Sequence, residues 1–316
     1  MKTYDLGAGC LMPALGLGTW KAAPGVVGAA VREAIRIGYR HFDCAPIYGN
    51  EDEVGRALAA AIAAGEVRRE DLWITSKLWN DAHGRDDVVP ALRKTLADLR
   101  LDYLDLFLVH WPLPQRPGVS FPTSPTDFLP ATHASFADTW AGMEQAAGAG
   151  LARRIGLSNF SIAKTDRLLA QARIRPAALQ VELHPYLAQQ DLVDWAGKRE
   201  IVLTAYSPLG SADRPPRLRR RDEPVLLADP VVGEVAAKHG ATPAQVLIAW
   251  AIARGTSVIP KSSDPGRLRE NFAAAGLVLD TDDMAAIGRL DRGFRFIDGT
   301  FWCFEGSPHT PGSLWG

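Results

Sequence analysis

Residues 72–110 read LWITSKLWNDAHGRDDVVPALRKTLADLRLDYLDLFLVH, and this stretch decides the fold class. It begins and ends with short apolar runs, Leu72–Ser76 and Tyr103–His110, which predict β-strands that are covered on both faces. Between them, the spacing of apolar residues over Val88–Leu99 predicts an amphipathic helix. Because parallel strands need a crossover of this kind, the stretch predicts a strand–helix–strand unit.

The same alternation continues along the whole chain. Further strands are expected at Ala14–Gly18, Tyr39–Cys44, Arg154–Ser158, Leu179–Glu182, Val202–Tyr206 and Ser257–Ile259. Further helices are expected at Val26–Ile37, Glu51–Ala63, Phe136–Ala149, Ile162–Ala172, Asp191–Arg199, Pro230–Lys238, Pro243–Ala253 and Arg267–Ala274. Such alternation is typical of either a doubly wound sheet or a closed barrel.

Two observations favour the barrel. A doubly wound dinucleotide-binding fold is expected to carry GxGxxG after its first strand, but Gly7-Ala8-Gly9 and Gly16-Leu17-Gly18 each offer only GxG. No change of composition and no flexible linker divides the chain. We therefore predict an α/β protein with a single (β/α)8 barrel domain over residues 1–316.

Composition points to a small-molecule partner. With a formal net charge of -1, the chain has no overall field that would attract nucleic acid or an anionic membrane. Cys10, Cys44 and Cys303 form no CxxC pair, which fits a reducing compartment. The sequence shows neither a signal-peptide pattern nor an apolar run long enough for a membrane span, so we expect a cytoplasmic protein.

Three long segments interrupt the alternation: Pro112–Pro130, Pro208–Asp229 and Asp291–Gly316. The first two follow the fourth and seventh strands, and therefore leave the barrel at the face where barrel active sites lie. Pro112–Pro130 is interpreted either as a variable surface insertion or as part of a substrate site. The second segment carries a basic cluster that is typical of a solvated surface, although its charge would suit an anionic cofactor: Arg217, Arg219, Arg220 and Arg221.

Four chemically active residues lie at or just beyond the ends of the second, third and fourth predicted strands: Asp43, Tyr48, Lys77 and His110. Each has a structural explanation when taken alone. Asp43 and Lys77 could form a buried ion pair, Tyr48 could belong to a turn, and His110 could be a core histidine. Because all four fall at one rim of the barrel, we predict that together they form a catalytic cluster.

The expected chemistry is reduction of a carbonyl group. A tyrosine with a pKa of ~10 is a weak acid at neutral pH, and an adjacent Lys77 ammonium would lower that pKa. Asp43 would keep Lys77 charged, and His110 would bind the substrate carbonyl. As hydride reaches the carbonyl carbon, Tyr48 would protonate the oxygen, and no metal is required.

Longer motifs surround these residues. They are Leu17-Gly18-Thr19-Trp20-Lys21, His41-Phe42-Asp43-Cys44-Ala45-Pro46-Ile47-Tyr48-Gly49-Asn50-Glu51, Thr75-Ser76-Lys77-Leu78-Trp79, Asp105–Pro112, Ile155–Phe160, Gln180–Pro185, Ala205–Gly210 and Ile259–Ser262. On these motifs the chain resembles the aldo-keto reductases over essentially its whole length. The resemblance implies a barrel with an N-terminal β-hairpin, two extra helices and three long loops at the C-terminal face of the strands. It also implies that the four residues form the catalytic tetrad of that family.

The resemblance further implies NADPH as cofactor. Ser158, Asn159 and Gln180 match residues that bind the nicotinamide carboxamide, and Tyr206 matches the aromatic residue that stacks on the ring. Lys21 and Asp213 match a pair that closes over the pyrophosphate in some members. Other positions along the cofactor are matched by Thr19, Trp20, Asp43, Ser207, Leu209 and Ser211.

At the adenosine end, the resemblance matches a segment composed of Lys261, Ser262, Arg267, Glu270 and Asn271. Lys261 and Arg267 would make charge-assisted contacts to a ribose 2′-phosphate. Asp264 departs from the family, where many members carry Thr. Its carboxylate would either repel the phosphate, which leaves room for some use of NADH, or cap the following helix, as Asp before Pro265 favours.

The resemblance also places Tyr48, His110 and four tryptophans at an apolar substrate pocket: Trp20, Trp79, Trp111 and Trp302. The leading hypothesis is therefore an NADPH-dependent aldehyde or ketone reductase, acting as a monomer or weak dimer. One alternative is a nucleotide-sensing regulatory protein on the same barrel, similar to the potassium-channel β subunits. A third is an aldolase or isomerase with a Schiff base on Lys77, which pairing with Asp43 would disfavour because a protonated amine is a poor nucleophile.

Overall fold

The computed structural model describes residues 1–129 and 136–316, and its centre is an eight-stranded parallel sheet. A two-stranded hairpin, β1 (Thr3–Asp5) and β2 (Leu11–Pro13), precedes it. The parallel strands follow in chain order: β3 (Leu17–Gly18), β4 (His41–Asp43), β5 (Trp73–Leu78), β6 (Leu104–Val109), β7 (Ala152–Ser158), β8 (Ala178–Glu182), β9 (Val202–Tyr206) and β10 (Ser257–Val258). All eight predicted strands are present, with β3 and β4 each three residues shorter than expected.

Hydrogen bonds between the first and last strands close the sheet into a barrel. Leu15 pairs in parallel with Val258, whose N–H donates to the carbonyl oxygen of Ala14 at 2.8 Å. The N–H of Gly16 in turn donates to the carbonyl oxygen of Val258 at 2.9 Å. Closure confirms the predicted barrel and removes the free sheet edges that a doubly wound fold would have.

The helices cover the outside of the barrel. They are α1 (Val27–Ile37), α2 (Glu51–Ala63), α3 (Val88–Leu99), α4 (Phe136–Gly148), α5 (Ile162–Leu169), α6 (Gln190–Gly197), α7 (Pro230–His239), α8 (Pro243–Ala253), α9 (Pro265–Ala273), α10 (Thr281–Gly288) and α11 (Pro311–Trp315). One helix follows each of β3 to β8, two follow β9 and three follow β10. The described residues therefore carry three helices beyond the eight of a (β/α)8 barrel, one more than the two extra helices expected.

Two helices were not predicted from the sequence, α10 and α11. Both begin with a capping box, at Asp280/Asp283 and at Thr310/Ser313, so a local start signal was present in each. The apolar residues of α10 are consecutive, Met284–Ile287, and α11 has only five residues, so neither segment shows a helical spacing of apolar residues. The segment Pro112–Pro130 was predicted to be a loop, and its last residue, Pro130, lies outside the described residues.

Strand alternation decides which side chains enter the barrel. In β5, Ile74 and Leu78 pack into the main core beneath the helices, whereas Trp73 packs inside the barrel with Leu106 and Leu108. Since successive side chains of a strand point to opposite faces, Lys77 lies on the same inner face as Trp73, near the carboxyl end of β5. The alternation thus directs a charged side chain into the mouth of the barrel.

The hairpin lies at the amino ends of the strands. Leu6 and Met12 belong to the same apolar cluster as Trp73, and Arg154 Nε donates to the carbonyl oxygen of Leu6 at 2.8 Å. These contacts cover that end of the barrel, so the carboxyl ends of the strands form its open face. No helix among the described residues is long and apolar enough to cross a membrane.

Candidate active site

A cleft of about 620 Å³ lies at the open face of the barrel. This volume is in the range of about 300–1,000 Å³ that is usual for small-molecule sites. Its walls come from residues that follow several different strands and from the long loops. Most of the predicted site residues line it: Trp20, Lys21, Asp43, Tyr48, Trp79, His110, Trp111, Ser158, Asn159, Gln180, Tyr206, Ser207, Leu209, Ser211, Asp213, Lys261, Arg267 and Trp302.

The Lys77 ammonium is the centre of a buried hydrogen-bond network. Lys77 Nζ donates to Asp43 Oδ1 at 2.6 Å, to the carbonyl oxygen of Cys44 at 2.9 Å and to Tyr48 Oη at 3.3 Å. Lys77 is 1% exposed and Asp43 2% exposed. With three partners, the ammonium has all of its donors engaged, which offsets the cost of burying the charge.

Local backbone structure places these groups together. Tyr48 ends a short 3-10 turn that begins at Pro46, and Gly49 closes the turn with a positive φ of 67°. His110 follows β6 directly, and its N–H donates to the carbonyl oxygen of Leu78 at 3.1 Å. Because β4, β5 and β6 are neighbours in the barrel, their carboxyl ends bring Asp43, Lys77 and His110 to one rim.

The pKa of Tyr48 differs from the expectation of an acidified phenol. Burial raises it to about 12, although the Lys77 charge and hydrogen bond act in the opposite direction. For Lys77, burial lowers the pKa, but the charges of Asp43 and Tyr48 outweigh burial and leave that pKa above its ordinary value. The sign of the lysine effect on Tyr48 was therefore predicted correctly, whereas the net direction was wrong because desolvation is the larger effect.

His110 is uncharged in this environment. Burial, and next the charge of Lys77, hold its pKa well below the ordinary value. Its ring lies edge-on to Tyr48 at 5.9 Å and to Trp79 at 5.0 Å between ring centroids. A neutral imidazole retains one N–H donor, so His110 can donate a hydrogen bond into the cleft without adding positive charge beside Lys77.

A set of amides and hydroxyls continues the network along the cleft floor. Gln180 Nε2 donates to Asp43 Oδ2 at 2.7 Å, so the Asp43 carboxylate bridges Lys77 and Gln180. Asn159 Nδ2 donates to Ser158 Oγ at 3.2 Å and to the carbonyl oxygen of His110 at 3.0 Å. Tyr206 Oη donates to Asn159 Oδ1 at 2.7 Å. Among the described residues, the side-chain Oε1 of Gln180 and the hydroxyl hydrogen of Ser158 have no partner, so both can bind a ligand amide.

Charged residues occupy the other end of the cleft. Lys21, after β3, forms an ion pair with Asp213, after β9, and donates to Ser211 Oγ at 2.7 Å. Lys261 Nζ lies 3.3 Å from Asp213 Oδ2. These contacts join opposite walls of the cleft. The cations of this end suit an anionic ligand, and the amides and neutral rings of the other end suit an uncharged one.

Backbone strain is concentrated in the cleft. Four non-glycine lining residues have positive φ: Lys21 (65°), Asn159 (62°), Ser207 (49°) and Ser211 (53°). Such conformations are uncommon for residues with a Cβ, and they cluster at functional sites, where the surrounding structure stabilises them. Their concentration here is independent support for a functional cleft.

At the charged end, Asp264 caps α9. Its Oδ1 accepts from the N–H of Arg267 at 2.8 Å, the geometry of the helix-capping alternative. Four predicted cofactor residues do not line the cleft: Thr19, Ser262, Glu270 and Asn271. Thr19 is buried and donates to the carbonyl oxygen of Asp43 at 2.8 Å. Glu270 accepts from Thr242 Oγ1 at 2.7 Å, and so joins α9 to α8.

Aromatic and aliphatic side chains form the wall near His110. Besides the four predicted tryptophans, it includes residues that sequence reasoning missed: Ile47, Phe121, Ile297 and Phe301. Phe121 stacks on Trp302 with centroids 5.9 Å apart and an interplanar angle of 17°. The sequence did contain a signal for Phe121, because an aromatic residue in a Pro-rich loop directly after the strand that ends at His110 indicates a place in the cleft wall. The loop therefore contributes to the cleft and is more than a surface insertion.

The basic cluster of the second long segment, Pro208–Asp229, does not line the cleft at Arg219, Arg220 or Arg221. Arg220 donates to the carbonyl oxygen of Arg295 and lies 3.4 Å from Asp298 Oδ2. Arg221 is 97% exposed at its side chain. These side chains are surface groups and loop contacts, as the solvated interpretation predicted.

Comparison with known proteins identifies relatives of this chain. Residues 14–292 match the model of the aldo/keto reductase family. An aldo/keto reductase from Synechocystis sp. is 55% identical over 315 residues, which cover 100% of this chain and 96% of that protein. Aldo-keto reductase family 1 member A1 from Bos taurus is 48% identical over 294 residues, covering 92% of this chain and 90% of the relative.

Solved structures agree with the sequence relatives. The aldose reductase from Schistosoma japonicum superposes with a TM-score of 0.87 and 38% sequence identity. The match covers 98% of both chains. The similarity therefore extends over the barrel and over the loops that form the cleft.

Proposed function

The chain belongs to the aldo/keto reductase family, an oxidoreductase family, and from this premise we propose that it reduces aldehydes or ketones to alcohols with NADPH as the hydride source and Tyr48 as the general acid. The observation that carries the proposal is the contact of Tyr48 with the charged Lys77 beside His110, in the same cleft as the amides of Asn159 and Gln180. Residues 1–316 are taken as one functional unit.

The residues of the cleft fit a nicotinamide cofactor. Gln180, Asn159 and Ser158 would bind the carboxamide, Tyr206 would lie against the ring, and Lys21 with Asp213 would span the pyrophosphate. When bound, the cofactor supplies the hydride. Four expected cofactor residues lie outside the cleft wall: Thr19, Ser262, Glu270 and Asn271. They would act on the cofactor site through neighbouring residues or from its edge. Glu270 and Asn271, for example, follow Arg267 by one turn of α9.

The protein's own groups perform the proton chemistry. His110, a neutral donor, binds the carbonyl oxygen and orients it towards Tyr48. A raised pKa keeps the Tyr48 phenol protonated at neutral pH, so the proton is present when negative charge develops on the substrate oxygen. An alkoxide is a far stronger base than a phenolate, its conjugate acid being about as weak as water, with a pKa of ~15.7. Transfer from Tyr48 is thus favourable.

Lys77 acts on the product side of this transfer. Its ammonium stabilises the phenolate that the transfer leaves on Tyr48, and Asp43 holds that ammonium in place at 2.6 Å. The alcohol leaves, and Tyr48 regains a proton from solvent. The raised pKa of Lys77 also disfavours the Schiff-base alternative, because the amine stays protonated.

Two features support a preference for NADPH over NADH. Lys261 and Arg267 both line the charged end of the cleft, where they would bind a ribose 2′-phosphate. Asp264 directs its carboxylate to the N-terminus of α9, which favours the capping role over repulsion of a phosphate. Some use of NADH remains compatible with that carboxylate. We further propose a cytoplasmic monomer or weak dimer, in keeping with three free cysteines.

Replacement of Tyr48 by Phe tests the proposal. General acid catalysis contributes about 10²–10⁴-fold, so turnover of a panel of aldehydes should fall by that factor. NADPH binding, followed by tryptophan fluorescence, should change little because Lys77 retains Asp43 and Cys44. The matched control is Tyr39→Phe, which removes a buried hydroxyl bonded to Leu268 and should keep full turnover.

Two outcomes would contradict the proposal. Near wild-type turnover by Tyr48→Phe would exclude this residue as the acid. Tight NADPH binding by the wild-type protein with no turnover of any aldehyde would favour the nucleotide-sensing alternative.

A further inference from the structure

Lys164 on α5 is buried against the main chain of the last described residues. It is 8% exposed, and its Nζ donates to the carbonyl oxygen of Leu314 at 3.0 Å and to the main-chain oxygen of Gly316 at 2.7 Å. Ser161, the N-cap of α5, also donates to Gly316, at 2.9 Å. Lys164 in α5 and Ser161 at its N-cap therefore hold the end of α11 by hydrogen bonds, and we call this pair of contacts the clamp.

The clamp has a physical reason. The last carbonyl groups of a helix lack partners within the helix, and a cation there also interacts favourably with the helix dipole. Burial, and next the charge of Arg167, lower the pKa of Lys164, so both act against its charged form. A lysine is seldom buried unless its ammonium is satisfied. The main-chain oxygens of Leu314 and Gly316 accept hydrogen bonds from the Lys164 ammonium here.

The clamped helix supports the aromatic wall of the cleft from behind. Leu314 is 1% exposed and packs in one apolar cluster with Trp79, Trp111 and Trp302. The Trp315 ring contacts the edge of Trp111, with centroids 5.7 Å apart, and its Nε1 donates to the carbonyl oxygen of Asp298 at 2.8 Å. The helix thus contacts Trp111 directly and shares an apolar cluster with Trp79 and Trp302, and all three tryptophans line the cleft, whereas Lys164 lies outside the described lining.

We propose that Lys164 is a positioning residue for substrate selection: through α11 it holds Trp111 and Trp302 in place, and so sets which non-reacting groups of an aldehyde fit the cleft. This inference rests on the proposed function. Bulky aromatic aldehydes contact the wall over a large area and need it rigid, whereas a small aldehyde needs only His110 and Tyr48. Loss of the clamp therefore weakens binding of large substrates selectively.

The test compares Lys164→Met, which keeps an apolar stem of similar size and removes the donor, with Lys164→Arg. For Lys164→Met, KM for 2-naphthaldehyde should rise about tenfold, corresponding to about 1.4 kcal/mol of lost binding. KM for propanal, both kcat values and the Kd of NADPH should stay near wild type, and Lys164→Arg should restore KM. The matched control is Arg167→Met, at an exposed cation on the same helix. It removes a charge that acts against the charged form of Lys164, so the Lys164 hydrogen bonds stay in place and none of these values should change.

Hydrogen exchange at the Leu314 and Gly316 amides separates this proposal from the proposed function. Both amides donate within α11, so both should exchange faster in Lys164→Met than in wild type and Arg167→Met. Unchanged exchange, or an equal rise in KM for propanal and 2-naphthaldehyde, would overturn the positioning role. A wild-type protein that reduces neither aldehyde would contradict the proposed function, while faster exchange would still show that Lys164 holds α11.

Discussion

Replacement of Glu51 by Gln should make the protein more stable at alkaline pH, and the reason is a buried carboxyl group behind Lys77. Glu51 is 3% exposed and accepts hydrogen bonds from Ser76 Oγ at 2.5 Å and from Thr95 Oγ1 at 3.3 Å. Burial raises its pKa from 4.5 to about 7, against the effect of both hydroxyls. The folded state therefore favours the protonated carboxyl.

The sign and size of the effect follow from linkage. Because the pKa is higher in the folded state, the contribution to stability is fully present below pH 4.5 and is lost as pH rises through about 7. Between about pH 5 and about pH 8 the wild-type protein should lose about 2.5 kcal/mol through this group. Gln has nearly the shape of the protonated carboxyl and cannot ionise, so Glu51→Gln should avoid that loss.

The assay is thermal unfolding of both proteins at the two pH values. For a chain of 316 residues, 2.5 kcal/mol corresponds to a shift in Tm of about 4 °C. The difference in Tm between Glu51→Gln and wild type should therefore grow by about 4 °C from about pH 5 to about pH 8. Asp52→Asn, an exposed neighbour on α2, is the control and should show no such growth. A difference that is the same at both pH values would refute the reasoning, since it would mean that Glu51 ionises as it does in water.

Two further outcomes are expected. Lys261→Ala and Arg267→Ala should each raise the Kd of NADPH by about 10–100-fold, because a charge-assisted hydrogen bond is worth about 1.5–3 kcal/mol, and should change the Kd of NADH far less. Fluorescence titration measures both constants, and equal losses would show that the 2′-phosphate is not bound there. Gly156→Ala should lower the Tm by about 2–5 °C, since a Cβ at that position would lie 2.5 Å from the carbonyl oxygen of Ala178. Gly148→Ala, where a Cβ meets nothing within 4 Å, is the matched control; a Tm loss as large as that of Gly156→Ala would contradict this account.

Much of the molecule could be predicted from local patterns. Apolar runs and helical periodicity identified the eight strands and the helices α1 to α9, because each signal lies within a short window of residues. Asp43, Lys77 and His110 could be placed together since each lies at or just after the carboxyl end of a strand of one parallel barrel, and these ends share a rim. Recognition of Tyr206 and Lys261 as site residues depended on family resemblance, because a tyrosine at a strand end is otherwise typical of core packing.

Other features depended on contacts between distant segments. Phe121 and Phe301 line the cleft because two loops of unpredictable path meet over the barrel. The contact of Lys164 with Leu314 joins residues separated by 150 positions. No local pattern in either segment indicates its partner.

The sequence by itself determined the order of strands and helices, the closed parallel architecture and the rim at which the reactive side chains gather, since periodicity and strand direction are local properties. Only the tertiary structure decided the environment of those side chains. The net direction of the Tyr48 pKa is the clearest case: the neighbouring ammonium was foreseen, but the larger effect of burial comes from every segment that packs around the phenol. The desolvation of a side chain depends on all the residues that pack around it, and these come from many parts of the chain. Its effect on a pKa is therefore determined only by the complete fold.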